Sequence, residues 1–404
     1  MSLTETFGEP GLIGQKRTRD LLARSLTSGR LNHAWLFTGP EGSGKTAFAL
    51  AFAEAINGIT HLNREAREPA SSKSSWFSHP DIHLFMPLPK TVSESDGQRT
   101  GELISRARLL LENPYERVDF RQRPLLDKES GSLNRQAFYS TDYFNDVIRK
   151  RVYLKPNEGE YTVVILTGIE TMREVAANAF LKILEEPPDK VIFLLTADRT
   201  DLLLPTILSR CRMARLSPLS ENEVVRALTE RDGMNLDDAK LLTRMTGGNY
   251  SLARHYDLEQ LKRSRSELIE FLRNAYSQQA DIIVKQVQEW QSSLNTENQI
   301  VLADNLELFL RDLLVWSETG EVSLISNSDQ AEVIQKFCNT LSSARLPEMI
   351  EDLRDMKPLL YQNVPFKYIF TVLSIRYSYL MRGKDPVIPK NEAWRHLPAL
   401  HTEL

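Results

Sequence analysis

The chain has 404 residues, of which 41% are hydrophobic and 26% charged, which is typical of a globular protein with two or three domains at roughly 150 residues per domain. A formal net charge of −4 gives no overall nucleic-acid signature, and two distant cysteines, Cys211 and Cys338, exclude a cysteine-rich zinc site and favour a reducing compartment. No run of about 20 apolar residues indicates a membrane span and the N-terminus does not resemble a signal peptide, so we expect no membrane association and a cytoplasmic location.

The first part of the chain predicts a phosphate-binding loop between a strand and a helix. Residues 12–29 have the periodicity of an amphipathic helix, and AWLFTG at 34–39 is a short apolar strand. The motif GPEGSGKT follows, and an alanine-rich helix is predicted over Thr46–Ile56. Strand, loop and helix in this order are the context that a phosphate loop requires.

The chemistry of this loop predicts ATP and Mg²⁺ as its ligands. Gly39, Gly42 and Gly44 let backbone N–H groups converge on phosphate oxygens at the start of a helix, where the helix dipole favours negative charge. Lys45 would reach the β- and γ-phosphates, and the Thr46 hydroxyl would ligate Mg²⁺ bound with the nucleotide. A chance glycine-rich turn is the weaker interpretation.

The middle of the chain alternates between strands and helices after a less regular stretch. Prolines, serines and charges predominate at about 88–140, with one helix-like piece, ELISRARLLLENPY, so we predict an insertion to which no function is assigned. Next come four predicted elements in alternation: a helical stretch (DYFNDVIRKRVYL), a strand (YTVVIL), a helix (REVAANAFLKILEEPP) and a strand (VIFLLTA). Such alternation predicts a parallel α/β sheet.

Strands disappear beyond Pro218. SENE at 220–223 is a capping box, Asn235 is a candidate cap, Gly247–Gly248 end a helix, and long helical patterns run from 261 to 381. We therefore predict an α/β P-loop domain with a parallel sheet over 1–216, containing the insertion at about 88–140. A small helical lid domain over 217–260, an all-α collar domain over 261–385 and a tail over 386–404 would follow.

The strand VVIL ends without the acids that nucleotide hydrolysis needs. An aspartate after such a strand normally helps to hold Mg²⁺, and a carboxylate beside it positions the attacking water. Thr167 and Gly168 occupy these two positions, and the first carboxylate is that of Glu170. A charge at the N-terminus of the next helix is a better interpretation of Glu170 than a displaced catalytic role.

Four motifs together resemble one family. GQ near the N-terminus, LNHAWLFTGPEGSGKT, AANAFLKILEEPP and LPTILSRC are similar to the clamp-loader branch of the AAA+ ATPases, which includes the bacterial DNA polymerase III gamma/tau and delta prime subunits. The resemblance covers about residues 8–58 and 142–256, and extends more loosely to YQNVPFKYIFTVL in the C-terminal helices. It implies an AAA+ P-loop domain followed by a lid and an oligomerising collar.

The resemblance implies a role in trans for Arg210. In the family, the arginine of the SRC motif projects into the ATP site of a neighbouring subunit and senses the γ-phosphate, and Arg210 is that arginine here. A planar guanidinium that is always charged suits the charge of a transferring phosphoryl group. The alternative is an ordinary surface arginine at a strand end, and Cys211 beside it is best interpreted as a small packed residue.

The residues that differ from the family pattern all belong to the chain's own nucleotide site. Thr167 and Gly168 replace the acidic pair, and Ala197 aligns with the polar residue that senses the γ-phosphate. Leu252 stands where a second arginine towards the chain's own nucleotide is expected, with Arg254 two residues away. The arginine for a neighbour's site is retained, and this pattern resembles that of a delta prime subunit.

No zinc is predicted. Many family members carry a four-cysteine zinc module after the first P-loop helix, but the corresponding region here, NGITHLNREAREPASSKSSWFSHPD, has no cysteine. His61, His79 and His83 without thiolates are poor zinc ligands as a set.

The main hypothesis is a non-catalytic or weakly catalytic, delta prime-like clamp-loader subunit. Its implied partners are the gamma/tau and delta subunits in a hetero-pentamer, the sliding clamp and primer–template DNA, with the basic run Arg149–Arg151 a candidate DNA contact or simply a solvated face. One alternative is a hydrolysis-competent, gamma/tau-type ATPase that takes its carboxylate from Glu170 or Asp198. Another is a non-replicative interaction protein that reuses the scaffold. Whether nucleotide binds structurally or not at all stays open.

Overall fold

The computed structural model describes residues 6–29, 31–67, 70–89, 96–118, 137–294, 296–362 and 364–388. The predicted tail lies outside the described residues from 389 onwards, as do residues 119–136 of the predicted insertion. The chain forms two compact units. The first runs to Ala239 and includes Thr246–His255, and the second contains Lys240–Met245 and the chain from Tyr256 onwards. The domain boundaries given above stay predictions.

A five-stranded parallel sheet is the centre of the first unit. Its strand order is β2-β5-β6-β1-β7, with the bounds Ala34–Thr38 (β1), Ile82–Phe85 (β2), Thr162–Leu166 (β5), Val191–Ala197 (β6) and Arg212–Arg215 (β7). Every residue of β1, β5 and β6 is buried, because helices cover both faces of such a sheet. The predicted α/β fold with a parallel sheet is confirmed.

Helices surround the sheet, and two short strands stand near the ends of the predicted insertion. β3 (Leu88–Pro89) pairs antiparallel with β4 (Ala137–Phe138). The helices of this part of the chain are α1 (Lys16–Thr27), α2 (Lys45–Ile56), α3 (Asp96–Glu112), α4 (Thr141–Tyr143, continued by a π-helical turn at Phe144–Ile148 and by Arg149–Val152), α5 (Glu174–Glu185) and α6 (Pro205–Leu208). Residues 102–112 of the helix-like piece therefore belong to α3, and its last three residues, NPY, follow the helix.

The helix after the phosphate loop is fixed by burial. α2 packs with almost every side chain buried, and its Phe52 ring lies 5.2 Å from the ring of Trp35 on the central strand β1. Each large aromatic side chain buried in this way contributes roughly 2–3 kcal/mol. The loop between β1 and α2 is therefore held at both ends by the core.

Three helices follow the last strand: α7 (Glu221–Glu230), α8 (Leu236–Met245) and α9 (Tyr250–Arg254). The predicted capping box of Ser220 and Glu223 is present at the start of α7, and the predicted cap at Asn235 accepts the N–H of Asp238 at 2.9 Å. These bonds satisfy N–H groups that a helix start would otherwise leave unpaired.

Two side chains tie the residues that flank α7 to the N-terminal segment that precedes α1. The Gln15 side chain donates to the backbone oxygen of Ser217 at 2.5 Å and accepts its N–H at 3.0 Å. The Arg231 guanidinium donates to the carbonyls of Pro10, Gly11 and Leu12 at 2.8–3.1 Å. The glutamine of the GQ motif therefore has a positioning role within the first unit.

The second unit is helical. Its main helices are α10 (Leu258–Ser277), α11 (Ala280–Ser293), α12 (Thr296–Thr319), α13 (Ala331–Thr340), α14 (Leu346–Tyr361) and α15 (Phe366–Leu380). An aromatic cluster of Phe271, Trp290 and Phe370 joins three of them, with ring centroids 5.6–5.8 Å apart. The predicted all-α region is confirmed. No helix within the described residues is long and apolar enough to span a membrane.

A buried carboxylate orders the turn that leads into β5. Asp81 accepts the N–H groups of Asn157, Glu158 and Gly159 at 2.7–2.8 Å. Burial by itself would raise the pKa of this carboxyl, but the three donors outweigh it and hold the pKa below its ordinary value of 3.8. The charged form therefore stabilises the fold.

We expect Asp81→Ala to lower the free energy of unfolding by about 3 kcal/mol at neutral pH, because three backbone N–H groups lose a charged, buried acceptor. Since the folded-state pKa is depressed, this contribution is present above the unfolded pKa of 3.8 and is lost as pH falls through the folded value. Urea denaturation at neutral and acidic pH measures both effects, with the exposed Asp189→Ala as control. Equal stability of the Asp81 variant and the wild type at neutral pH would contradict this prediction.

Candidate functional site

The phosphate loop lies at the carboxyl end of the parallel strands, where open α/β sheets bind their ligands. A cavity of about 160 Å³ is found there. The residues that line it come from the loop and α2, from the ends of β5 and β6, and from the segment after α3, and they include Gly42, Gly44, Lys45, Thr46, Thr167, Gly168, Glu170, Thr196 and Asp198. The structure therefore brings the predicted loop and the predicted acid-free strand end together.

The loop glycines are required by their surroundings. Gly44 has a φ of +94° at the N-terminus of α2, and a Cβ at this residue would lie 2.7 Å from the ring of Tyr115. A Cβ at Gly42 would lie 2.2 Å from the side-chain oxygen of Asn249. These two positions therefore admit no side chain, which keeps the loop's backbone N–H groups close to the helix N-terminus, as a phosphate requires.

Lys45 is fully engaged with groups of the chain itself. Its ammonium donates to the carbonyls of Gly39 and Pro40 at 2.8 and 2.7 Å and pairs with the carboxylate of Asp198 at 2.7 Å. An ammonium has three N–H donors. Two of them are used on carbonyls and the charge is paired with Asp198, so a phosphate group would compete with these partners for the ammonium.

The backbone groups of Thr167 and Gly168, at the end of β5, are hydrogen-bonded within the chain. The N–H of Thr167 donates to the carbonyl of Phe85 at 3.0 Å, and its carbonyl accepts the Tyr139 hydroxyl at 2.8 Å. The N–H of Gly168 donates to the hydroxyl of Thr196 at 3.1 Å. Neither residue offers a carboxylate to a metal ion.

Two carboxylates from other elements nevertheless face the same cavity. Glu170 lies in a single 3₁₀ turn, Ile169–Thr171, and accepts the backbone N–H of Asp198 at 3.1 Å. Burial raises the pKa of the Glu170 carboxyl. With the Thr46 hydroxyl, Glu170 and Asp198 are the oxygen ligands that could hold a Mg²⁺ bound with a nucleotide. The glycine loop and Lys45 fit a triphosphate in chemistry, although Asp198 already neutralises Lys45.

The segment after α3 also enters this cavity, and the sequence analysis missed it. Tyr115 is 4% exposed, and its hydroxyl accepts the N–H of Ile13 at 2.7 Å. Its ring lies edge-to-face with Tyr250 at 5.4 Å, and burial raises the pKa of its hydroxyl to about 12. The only signal in the sequence was an aromatic residue, in NPYERV, within an otherwise polar stretch.

Arg254, near the position of the missing second arginine, pairs with acidic residues of the chain. Its guanidinium binds Asp232 at 2.7 Å and Glu116 at 3.1 Å. The N–H of Leu252, at the aligned position itself, donates to the side chain of Asn249 and so helps to cap α9. Arg254 therefore contacts two carboxylates around α9.

Arg210 lies outside this cavity, two residues after α6. Its guanidinium donates to the carbonyl of Thr206 at 3.0 Å and pairs with Glu185 at 2.8 Å, and its side chain is 33% exposed. The neighbouring Cys211 is buried, and burial raises the pKa of its thiol to about 12, so it stays protonated at neutral pH. The structure therefore keeps Arg210 apart from the residues of the chain's own phosphate loop.

The three histidines of the module region do not share a site. The His61 ring bonds the buried carboxylate of Glu54 at 3.0 Å, which raises the pKa of His61. Glu54 also accepts the N–H groups of Leu62 and Trp76 at 2.7 and 2.8 Å. Within the described ranges, no group of three or more His, Cys, Asp or Glu side chains is arranged to hold a metal ion. The absence of zinc stays a prediction.

Two family models match the chain. The model described as DNA polymerase III, delta subunit, matches residues 14–220, which is just over half of the 404 residues. The model described as DNA polymerase III, delta subunit, C terminal, matches residues 259–365.

Individual relatives agree with these models at modest identity. The DNA polymerase III subunit delta' of Bacillus subtilis is 24% identical over 87% of this chain and 92% of its own length. The DNA polymerase III subunit gamma/tau of Mycobacterium tuberculosis is 27% identical over 59% of this chain, which spans only 34% of that longer protein.

Solved structures are matched more distantly. A DNA polymerase III, gamma subunit-related protein of Thermotoga maritima has a TM-score of 0.45 at 15% identity, covering 89% of this chain and 99% of its own. The RuvB branch-migration motor of the same organism has a TM-score of 0.36 at 14% identity, covering 77% of this chain and 80% of its own. The description of the fold therefore depends on the strand order and the phosphate loop.

We expect Arg210→Ala to change the free energy of unfolding by less than about 0.5 kcal/mol, because its ion pair with Glu185 is exposed to water. Arg376→Ala should cost about 3–5 kcal/mol, because Arg376 and Asp352 form a buried pair at 2.6 Å with both side chains at most 5% exposed. Chemical denaturation of the two variants measures this contrast. A large loss for Arg210→Ala would show that this arginine has a structural role.

Proposed function

Because the chain belongs to the DNA polymerase III delta subunit family, we propose that it is a delta prime-like, non-catalytic or weakly catalytic subunit of a clamp loader. In this role it presents Arg210 to the ATP site of a neighbouring subunit. The observation that carries the proposal is a contrast within the first unit. The strand end of the chain's own site has Thr167 and Gly168 in place of acids, while Arg210 lies on the surface, outside that site.

The contacts of Arg210 suit a group that acts on a neighbour. Its side chain is partly exposed, and its ion-pair partner Glu185 is 48% exposed. Such a pair contributes little in water, so Arg210 can exchange Glu185 for the oxygens of a phosphate without a large cost. A guanidinium matches phosphate oxygens with two parallel N–H donors and stabilises charge that develops during phosphoryl transfer.

The partners follow from the same proposal. They are gamma/tau and delta subunits in a hetero-pentamer joined through the helices of the second unit, the sliding clamp, and primer–template DNA, all in the cytoplasm. Arg149, Lys150 and Arg151 are exposed at the end of α4. They are candidates for sequence-independent contacts with DNA phosphates, in the way that basic side chains position a protein on a duplex.

A second candidate function is ATP hydrolysis by the chain itself. One observation favours it: Glu170 and Asp198 face the same cavity as Lys45, although neither comes from β5. The raised pKa of Glu170 would suit a base better than a fully solvated carboxylate would. This function requires Asp198 to release Lys45 when a nucleotide binds.

We expect the purified chain to hydrolyse ATP no faster than its Lys45→Ala variant, because the acids of the β5 end are replaced. Steady-state phosphate release in the presence of Mg²⁺ measures both proteins. A rate that depends on Lys45 would favour the second candidate, and Glu170→Gln and Asp198→Asn would then identify the carboxylate that it uses.

We expect Arg210→Ala to remove one ATP site's contribution to the DNA-stimulated ATPase of a reconstituted loader, because an arginine supplied in trans to phosphoryl transfer is worth on the order of 10³ in rate at the site that it enters. The loader's other ATP sites keep their rates, so the total rate falls by roughly a quarter to a half when two to four equal sites contribute. Arg199→Ala is the matched control, because Arg199 is also exposed and also paired, with Asp201 at 2.6 Å. An unchanged ATPase in an intact complex of the Arg210 variant would refute the proposed role. Failure of the wild-type chain to assemble with the other subunits would favour a non-replicative function instead.

A further inference from the structure

We propose that residues 113–118, the plug segment, are a built-in occupant of the chain's own nucleotide site and keep ATP out until they leave. The plug segment follows α3 within the predicted insertion, and residues 114–118 line the cavity at the phosphate loop. The plug would explain why the subunit is non-catalytic, and the proposed function enters only in taking the cavity at the phosphate loop as the chain's nucleotide site. It assigns a function to a part of the chain that sequence motifs left without one.

Tyr115 fills one end of the site as a planar ring. It lies between the N-terminal segment, the phosphate loop and α9: its hydroxyl accepts the N–H of Ile13, and its ring contacts Gly44 and Tyr250. An aromatic ring held by one backbone N–H and packed between a loop and a second ring makes the contacts that a nucleotide base would need. The side chain is nearly completely buried, so a base cannot lie in this place while Tyr115 does.

Glu116 and the backbone of Tyr115 connect the plug segment to α9. The Ser251 hydroxyl donates to the carbonyl of Tyr115 at 2.6 Å. The Glu116 carboxylate pairs with Arg254 at 3.1 Å and with the ring of His255 at 2.6 Å. The Glu116 side chain is only 9% exposed, while Arg254 and His255 are 21% and 28% exposed, so the charge-assisted bond from Arg254 is partly shielded from water. Contacts from α9 that could otherwise be made to a nucleotide are made to the plug segment.

Charged groups at the phosphate end of the site are also paired within the chain. Lys45 donates to two carbonyls and forms an ion pair with Asp198, and Arg117 of the plug segment approaches Glu41 of the phosphate loop at 3.9 Å. A triphosphate entering the loop would bring its negative charge next to both Asp198 and Glu41. Each carboxylate would have to move or be compensated before the phosphate could bind.

The plug segment is anchored at its far end, and the remaining space is small. Arg106 of α3, fully buried, donates to the carbonyl of Val118. The enclosed space left beside the plug segment measures about 160 Å³, and Tyr115 occupies the place where a base would lie. Under the proposal, a nucleotide binds fully only after the plug segment leaves, so the apparent affinity equals the intrinsic affinity multiplied by the fraction of molecules in which it has left.

The test is the binding of Mg²⁺·ATP to the full chain by isothermal titration calorimetry. We expect Tyr115→Ala to bind ATP at least tenfold more tightly than the wild type, because the variant no longer fills the base end. Adding Lys45→Ala to this variant should abolish the gain, since the phosphate grip is then lost. Tyr153→Ala is the matched control, because Tyr153 is a tyrosine of the same unit that is 56% exposed.

Glu116→Gln keeps the proposal testable if Tyr115→Ala does not fold. It preserves the volume of the side chain but removes the charge that pairs with Arg254 and His255, so we expect about threefold tighter binding. The Kd of the wild type in a folded Tyr115→Ala variant, or in Glu116→Gln where Tyr115→Ala does not fold, would overturn the proposal. Weaker binding by Tyr115→Ala than by the wild type would also overturn it, because Tyr115 would then be part of the binding site. Neither result bears on Arg210, which is tested through the ATPase of partner subunits.

Discussion

The burial of β1 and α2 is the constraint on which the rest of the first unit depends. β1 is the inner strand between β6 and β7, and α2 packs on the sheet with almost all of its side chains out of water. The phosphate loop joins these two elements, so its position is fixed by core packing and not by a ligand. A loop held in this way keeps its position whether or not nucleotide binds, and the end of β5 beside it carries Thr167 and Gly168 in place of acids.

Around this fixed loop, the chain pairs its own cations. Lys45 donates to two carbonyls and forms an ion pair with Asp198, and Arg254 pairs with Asp232 and Glu116. Buried charges are costly unless they are paired. In a site that depends on a nucleotide, the phosphates would be the partners of these cations. Here the partners are carbonyls and carboxylates of the chain itself, so the cations are paired without a ligand.

Arg210 differs from these residues because its only charged partner in the described contacts, Glu185, is exposed. The first unit thus contains two kinds of arginine. Arg254 contributes to internal cohesion around α9, while Arg210 retains a charge that another molecule can reach. This difference in exposure to water supports the proposed role of Arg210 at a neighbouring subunit, because exposed ion pairs exchange partners at little cost.

The sequence by itself determined the local elements and their class. The apolar runs at 34–38, 162–166 and 191–197 are the buried parallel strands, since a strand covered on both faces must be apolar throughout. The capping box at Ser220 and the phosphate loop were readable because their chemistry depends on residues a few positions apart.

Only the tertiary structure decided what fills the site. Tyr115 meets Ile13 across 102 positions of sequence, and Glu116 meets Arg254 across 138. Likewise, Asp198 reaches Lys45 because β6 lies beside β1 in the sheet. No spacing rule connects residues so far apart, because their proximity is produced by strand order and by the path of α3, neither of which local periodicity encodes.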